Sequence, residues 1–213
     1  MPNTRVREVK GFTDSAVDEA VEVIKSGGLV VYPTETCYGL GADALNPEAV
    51  RKVFMVKHRP FNIPLTVLVA DLEMWGRFAE LTSEALKLIR KFMPGPLTIA
   101  LRKKPYVPDL LDPYELAARI SSHPTAQALV SKVGSPITAT SANVHGEPEP
   151  YTVDEAIKSL GQGVDLALDS GKIPRRNVST VVHLTASPPR ILRAYPKGAF
   201  KTEDILKTLK ENG

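Results

Sequence analysis

The chain has 213 residues, of which 43% are hydrophobic and 24% are charged, a balance typical of a soluble globular protein and not of a disordered or fibrous one. The formal net charge of +3 at pH 7 permits an anionic partner such as a nucleotide or RNA but does not require one. Cys37 is the only cysteine, which excludes an intrachain disulfide, and no apolar segment is long enough to span a membrane; we therefore expect a single cytoplasmic domain over residues 1–213.

In the first half of the chain, short apolar runs alternate with helical patterns. Residues 15–26 place their apolar side chains on one face of a helix that a pair of glycines ends, and the run at 29–31 predicts a buried strand. The Asn-Pro pair at 46–47 begins the next helix, which must end before Pro60. Further elements in this half are predicted as strands at 65–70 and 97–101 and as a helix at 83–92.

The second half of the chain contains more strands than helices. A helix is predicted from the His-Pro pair at 123–124 to Gly134, and another follows the capping-box pattern at 152–155. The remaining predicted elements are strands at 116–120, 136–142, 164–169, 179–184 and 190–194, and a final amphipathic helix after Thr202. Because several strands follow one another without an intervening helix, we predict an α/β fold with one twisted, mixed sheet flanked by helices.

A polar loop follows the first predicted strand. The strand ends at Pro33 and opens into Thr34, Glu35 and Thr36, which precede two glycines. A tight turn alone needs only one glycine and an Asn or Asp. We therefore predict that this loop binds a small polar ligand, and that the neighbouring Cys37 is a small buried thiol and not a nucleophile.

Several common kinds of active site are absent from the sequence. No Gly-x-x-x-x-Gly-Lys-Ser/Thr motif occurs, which excludes the usual phosphate loop of NTPases. Gly39 and Gly41 lack the third glycine of a dinucleotide-binding fingerprint, and the four histidines are too scattered for a zinc site. A Gly-x-Ser-x-Gly elbow is also missing, which disfavours a serine hydrolase. No metal ligand is predicted.

The residues that suggest chemistry are hydroxyls and cations at the ends of predicted strands, where open α/β sheets place their sites. Arg119 and Arg193 each follow an apolar run, and a half-buried guanidinium needs an anion such as a carboxylate or a phosphate. An internal ion pair to Asp43 or Asp169 is the alternative, and for a single arginine the two interpretations are about equal. The hydroxyl and amide side chains at strand ends are those of Thr34, Thr36, Thr138, Thr140, Ser141, Asn143, Ser179 and Thr180.

Seven short segments, taken in order, resemble the YrdC-like family of threonylcarbamoyl-AMP synthases. They lie between Gly27 and Arg193 and are YPTETCYGLG, KHRP, PGPLT, ARISSHP, TSAN, STVV and ILR. No single segment is decisive, but the ordered set at compatible spacing is specific. The family signature K-x-R followed by S-x-N is present at 57–59 and 141–143.

The resemblance implies a YrdC-like fold whose concave, basic cavity binds ATP, L-threonine and bicarbonate or CO2. The implied activity is that of a nucleotidyltransferase, which forms threonylcarbamoyl-adenylate and releases pyrophosphate. Mg²⁺ is expected to come with ATP, held mostly by phosphate oxygens and water. A separate tRNA threonylcarbamoyl transferase is expected to use the product to modify the adenosine beside the anticodon, and a contact with tRNA or double-stranded RNA is compatible with this role.

The resemblance also implies roles for particular side chains. Lys57 and Arg59 are expected to be catalytic and to bind ATP by stabilising the carbamate and triphosphate charge. Thr34, Arg119 and Ser179 are expected to bind threonine, with Arg119 as the clamp for its carboxylate. The other expected ATP-binding residues are Ser141, Asn143 and Arg193.

The chain departs from the family pattern in two places. Members commonly have R-P-x-D-N-P-L followed by a histidine, whereas this chain has RPFNIPL and then Leu68 at the place of that histidine. Glu115 stands where a threonine is frequent. A carboxylate near a triphosphate is unfavourable unless it turns away or helps to hold a metal, so substrate affinity depends on these positions.

Two other functions remain open at this point. One is a carbamoyl-adenylate enzyme of the same fold, although such domains usually occur in much longer chains with zinc-finger and acylphosphatase modules. The other is a non-catalytic RNA-binding module that uses the basic cavity. Aromatic residues form only 6% of the chain and are not interleaved with the basic clusters, which disfavours this third hypothesis.

Overall fold

The computed structural model describes residues 4–9 and 15–211. Helices and strands alternate through most of this range, as the apolar patterns predict. The helices are α1 (Ser15–Lys25), α2 (Pro47–Val56), α3 (Leu72–Phe78), α4 (Ser83–Phe92), α5 (Pro124–Val133), α6 (Val153–Leu160) and α7 (Thr202–Lys210). The strands are β1 (Arg5–Glu8), β2 (Val30–Pro33), β3 (Tyr38–Gly41), β4 (Val67–Leu68), β5 (Leu97–Arg102), β6 (Glu115–Arg119), β7 (Ile137–Thr138), β8 (Thr140–Ser141), β9 (Leu166–Asp169), β10 (Thr180–His183) and β11 (Arg190–Arg193).

Polar residues at the helix ends explain why the predicted helices begin and end where they do. The Asn46 side chain accepts hydrogen bonds from two backbone N–H groups in the first turn of α2. Thr152 and Glu155 form the predicted capping box at the start of α6. Gly134 follows α5 with a φ of 80°, the left-handed conformation that glycine adopts without strain.

The strands form two mixed sheets, where the sequence predicts one. The five-stranded sheet has the order β1-β9-β2-β3-β8, and the six-stranded sheet has the order β11-β10-β5-β6-β4-β7. In the first, β2 is antiparallel to β3 and parallel to β9, and in the second, β10 is antiparallel to β11 and parallel to β5. Helices pack on both sheets. The α/β class and the mixed strand pairing are therefore confirmed, and the single sheet is corrected to two.

The predicted strand at 136–142 is the place where one sheet becomes two. It divides into β7, which pairs with β4, and β8, which pairs with β3. Between them, the Ala139 N–H donates to the carbonyl of Thr66, and the buried Thr138 hydroxyl donates to the carbonyl of Leu40. A continuous apolar pattern does not reveal such a change of partner, because each half of the segment is equally suited to a strand.

The predicted binding loop is short because its two glycines lie in β3. Only residues 34–37 connect β2 to β3, and the two strands pair antiparallel. A Cβ atom on Gly41 would lie 2.8 Å from Cε1 of Tyr32, and one on Gly39 would lie 3.1 Å from Cζ of the same ring. These glycines therefore make room for the fully buried Tyr32 side chain.

Two further differences between prediction and structure concern residues 65–78. The strand predicted at 65–70 is reduced to the two residues of β4, and the chain then forms α3, which the sequence does not predict. The Asp71 carboxylate accepts a hydrogen bond of 2.7 Å from the Met74 N–H and so caps this helix. Trp75 in α3 is fully buried in the core with Phe54 and Leu88.

No helix within residues 4–9 and 15–211 is long and apolar enough to cross a membrane.

Candidate active site

A cleft with a volume of about 200 Å³ lies where strands of both sheets end. The five-stranded sheet contributes the β2–β3 turn and β8, and the six-stranded sheet contributes the ends of β6 and β11 and the start of β10. Hydroxyl and guanidinium groups dominate its walls. Six of the eight predicted site residues line it: Thr34, Arg59, Arg119, Ser141, Ser179 and Arg193.

The Thr34 hydroxyl organises the turn at the base of this cleft. Its Oγ1 accepts hydrogen bonds from the N–H groups of Thr36 and Cys37, at 3.2 and 3.3 Å, and donates to the Cys37 carbonyl at 2.6 Å. These bonds occupy most of its capacity, since a hydroxyl has one proton and two lone pairs. The Thr36 hydroxyl lies 3.0 Å from it and also lines the cleft. Thr36 is therefore a second candidate for ligand contact beside the predicted Thr34.

Arg119 is held by an ion pair that the sequence does not predict. Its Nη1 donates to Glu35 Oε1 at 2.8 Å, and the Ser121 hydroxyl donates to the other oxygen of the same carboxylate. The arginine and glutamate side chains are 6% and 8% exposed. The partner is Glu35, and neither Asp43 nor Asp169. The contacts described for this guanidinium all use Nη1, which leaves its other edge free for a ligand carboxylate.

Lys57 lies behind the cleft and does not line it. The side chain is 1% exposed, and Nζ donates to the carbonyls of Ser141 and Asn143, each at 2.5 Å. Burial, and secondarily the nearby Arg59, lowers the pKa of this ammonium group to about 8. Lys57 thus fixes the backbone of the S-x-N segment, and its expected catalytic role remains a prediction.

Arg59 and Arg193 are oriented by backbone carbonyls. Nη2 of Arg59 donates to the Pro64 carbonyl at 2.7 Å, and Nε of Arg193 donates to the Ser179 carbonyl at 2.7 Å. Nη2 of Arg193 also donates to the Ser179 hydroxyl at 3.1 Å. Burial lowers the pKa of both arginines, yet a guanidinium remains charged at neutral pH. Neither arginine has an ion pair with a carboxylate in the described part of the chain.

Ser141 and Asn143 have different surroundings. Ser141 lines the cleft. Asn143 is 4% exposed, and its Nδ2 donates to the carbonyls of Val144 and Glu147 at 3.0 and 2.7 Å. Its Oδ1 is buried and has no hydrogen-bond partner among the described residues. Such an atom is costly to leave unpaired, and the predicted contact of Asn143 with ATP remains a prediction.

A second cleft, with a volume of about 370 Å³, adjoins the first. The two clefts share Arg59, Pro64, Thr66 and Arg193. Side chains of Leu65, Ala117, Val181 and Leu192 make much of the second cleft apolar. Two further lining residues are in contact, since Nδ1 of His183 lies 2.6 Å from Glu115 Oε2.

This contact shows what surrounds the unusual Glu115. The carboxylate accepts hydrogen bonds from the His183 ring and from the Thr185 hydroxyl, and it does not line the first cleft. Its carboxylate is therefore bonded by one residue of β10 and by one that follows β10, and it shares the second cleft with Arg59 and Arg193. The sequence pattern could not show this pairing, because Glu115 and His183 are 68 residues apart.

Some polar side chains at the first cleft are not among the eight predicted site residues. Thr36, Thr66, Thr140 and Glu149 line the cleft, and Glu35 is bound to Arg119 beside it. Glu35 and Thr36 belong to the polar loop that is predicted to bind a ligand, so this pattern could have included them in the site. No sequence pattern distinguishes Glu149 from the other acidic residues of the chain. Cys37 also lines the cleft, and its thiol is buried as predicted. Burial raises the pKa of this thiol to about 11. Within the described ranges, no group of three or more His, Cys, Asp or Glu side chains is placed to hold a metal ion.

Several known proteins are similar to this chain in sequence and in fold. The profile of the Sua5/YciO/YrdC family, described as telomere recombination, matches residues 22–194. A Methanocaldococcus jannaschii protein, provisionally named a threonylcarbamoyl-AMP synthase, is 42% identical over 161 residues, which are 76% of this chain and 76% of that protein. The threonylcarbamoyl-AMP synthase of Pyrococcus abyssi is 37% identical over 197 residues, which are 90% of this chain but 56% of that protein. The crystal structure of P. abyssi Sua5 complexed with L-threonine has a TM-score of 0.89 at 33% identity, covering 98% of this chain and 61% of that chain.

Proposed function

The chain belongs to the Sua5/YciO/YrdC family, and we propose that it is an L-threonylcarbamoyladenylate synthase. It uses ATP, L-threonine and bicarbonate or CO2 to form threonylcarbamoyl-AMP, with release of pyrophosphate. The observation that carries this proposal is the junction of two clefts at Arg59 and Arg193. One cleft is polar and suits an amino acid, and the other has apolar walls that suit a nucleoside. The relatives named threonylcarbamoyl-AMP synthases support the same assignment.

Threonine occupies the smaller cleft in this proposal. Its carboxylate binds the edge of the Arg119 guanidinium that Glu35 leaves free, because a planar fork of donors matches a carboxylate. The hydroxyls of Thr36 and Ser179 lie on neighbouring walls and can bond the polar groups of the substrate. The threonine complex of the P. abyssi relative supports this choice of ligand.

ATP lies across the junction, with its base against the apolar wall of the second cleft. Arg59 and Arg193 line both clefts and can neutralise the charge of the phosphates. Ser141, on the first cleft, then faces the phosphate end of the nucleotide. We further propose that Mg²⁺ enters with ATP and is held mostly by phosphate oxygens and water.

The chemistry needs positioning and charge stabilisation, without a covalent enzyme intermediate. The neutral threonine amine attacks CO2 and releases a proton to form a carbamate, and a carbamate oxygen then attacks the α-phosphorus and displaces pyrophosphate. Negative charge develops on the α-phosphate of the transferred adenylyl group and on the leaving pyrophosphate. Arg59 and Arg193 are held by carbonyls before the ligands arrive, so little reorganisation is needed during the reaction.

The product carries an activated threonylcarbamoyl group, which a separate transferase would pass to adenosine in tRNA. On this basis we propose that the protein acts in the cytoplasm, where tRNA is available. A direct contact with tRNA or double-stranded RNA would help to deliver the product, and it is a proposal of lower priority.

The decisive experiment measures pyrophosphate release from ATP and bicarbonate, with and without L-threonine. Serine and glycine serve as controls for the side chain. We expect release that depends on threonine and is largely lost in Arg119→Ala. A folded protein that binds ATP but shows no threonine-stimulated release would contradict the proposal.

The two alternative functions are not favoured. The relatives are named for threonylcarbamoyl-AMP synthesis and not for carbamoyl transfer. An RNA-binding module would need aromatic side chains on which bases stack. Neither cleft has a Phe, Tyr or Trp side chain among its described lining residues.

A further inference from the structure

Glu149 is the one carboxylate among the described residues that line the smaller cleft. It is half-buried and stands between Pro148 and Pro150. The Pro150 carbonyl accepts a hydrogen bond of 2.9 Å from the Tyr38 N–H, which fastens this segment to the start of β3. The position of Glu149 on the wall is therefore set by the backbone on its C-terminal side.

The Glu149 carboxylate differs from that of Glu35 because no other described residue is bonded to it. Glu35 is bound to Arg119 and Ser121, whereas Glu149 has no hydrogen bond or ion pair with another described residue. Its negative charge nevertheless affects the pKa of Arg193, which lines the same cleft. Burial and the charge of Arg119 lower the pKa of Arg193, and the carboxylate of Glu149 acts in the opposite direction.

The charge balance of the cleft creates a difficulty for an amino acid. Threonine enters as a zwitterion, and three guanidinium groups, those of Arg59, Arg119 and Arg193, line the same small volume. They attract the carboxylate but repel the ammonium group, since like charges a few ångströms apart destabilise each other. An unpaired carboxylate on the wall removes that repulsion.

We infer that Glu149 binds the α-ammonium group of threonine while Arg119 binds the carboxylate of the same molecule. This inference rests on the proposed function. The two charged ends of an amino acid are close together, and Glu149 and Arg119 both line a cleft of only about 200 Å³, small enough for one such molecule to reach both. Glu149 then selects α-amino acids against hydroxy acids and orients the nitrogen, which attacks CO2 after the ammonium group has released a proton to solvent.

A deaminated analogue separates ammonium recognition from all other contacts. The 2,3-dihydroxybutanoate with the stereochemistry of L-threonine keeps the carboxylate and the side-chain hydroxyl but has a hydroxyl in place of the ammonium group. Calorimetric titration measures Kd for threonine and for this analogue in the wild type and in Glu149→Gln. Glu147→Gln is the matched control, because it makes the same charge change at an exposed position two residues away.

We expect the wild type to prefer threonine over the analogue and Glu149→Gln to lose about tenfold of that preference, the usual effect of one charged hydrogen bond. KM for threonine in the pyrophosphate assay should rise by about the same factor, with a smaller change in kcat. Glu147→Gln should match the wild type in both measurements.

Two results would overturn the inference in distinguishable ways. If Glu149→Gln keeps the full preference for threonine while wild-type release still depends on threonine, the inference is wrong and the proposed function stands. If the wild type neither binds threonine nor shows threonine-dependent release, the proposed function fails and the inference fails with it.

Discussion

Arg119 and Glu35 form a buried ion pair in which Nη1 lies 2.8 Å from Oε1. The arginine ends a strand of the six-stranded sheet, and the glutamate lies in the turn between two strands of the five-stranded sheet. The pair therefore joins the two sheets beside the smaller cleft and fixes the orientation of the guanidinium that we propose binds threonine.

Glu35→Gln should destabilise the protein by about 3 kcal/mol, because removing one member of a buried pair leaves the other charge uncompensated. Urea unfolding followed by circular dichroism measures this change. Asp18→Asn breaks the exposed pair with Lys132, whose two side chains are 37% and 63% accessible, and should cost less than about 1 kcal/mol. Equal costs for the two variants would contradict the buried character of the Arg119–Glu35 pair.

Arg119→Lys should weaken threonine binding by about tenfold while keeping the positive charge beside Glu35. Lysine lacks the planar fork that can hold Glu35 with one edge and a ligand carboxylate with the other. Calorimetry with threonine gives the affinity, and thermal melting shows whether the variant is folded. An unchanged threonine affinity in a folded variant would move the carboxylate contact to another residue.

Thr34→Val should destabilise the protein by about 2 kcal/mol, since the N–H groups of Thr36 and Cys37 would lose their acceptor in a buried turn. Thr34→Ser keeps the hydroxyl and serves as the control, with a much smaller loss. The free energy of unfolding in urea distinguishes them. Similar stability of the valine and serine variants would show that the methyl group matters more than the hydroxyl.

The stability of the wild type should rise with pH between about 8 and 10.5 through Lys57. Burial lowers the pKa of this lysine in the folded state, so the unfolded chain binds more protons in that interval. The penalty for burying the charge is present in full below the folded pKa and disappears as the pH reaches the ordinary value. Subtracting the pH profile of Lys57→Met from that of the wild type isolates this contribution, and parallel profiles would refute it.

The sequence predicts the local parts of the site and misses its long-range parts. Arg119 and Arg193 could be found because each follows an apolar run, and the helices beginning at Pro47 and Pro124 could be found from their caps. The partner of Arg119 could not, because Glu35 lies 84 residues away and several acids compete for the same role.

The division into two sheets could not be predicted from the sequence either. The strand signal at 136–142 is continuous, and only tertiary hydrogen bonds, such as that from Ala139 to Thr66, show that its halves join different sheets. The two predicted residues that do not line the cleft, Lys57 and Asn143, illustrate the same limit. A motif identifies which side chains matter, but it does not distinguish those on the wall from those behind it.

The position of the smaller cleft between the sheets gives its ligand a mechanical role. Residues 138–140 are the covalent path by which β7 of one sheet continues into β8 of the other. A molecule that bonds to Thr36 on one side and to Arg119 on the other becomes a non-covalent cross-link between the same two sheets. Substrate binding should therefore slow amide hydrogen exchange in β7, which does not line the cleft, as well as in the strands that the substrate contacts.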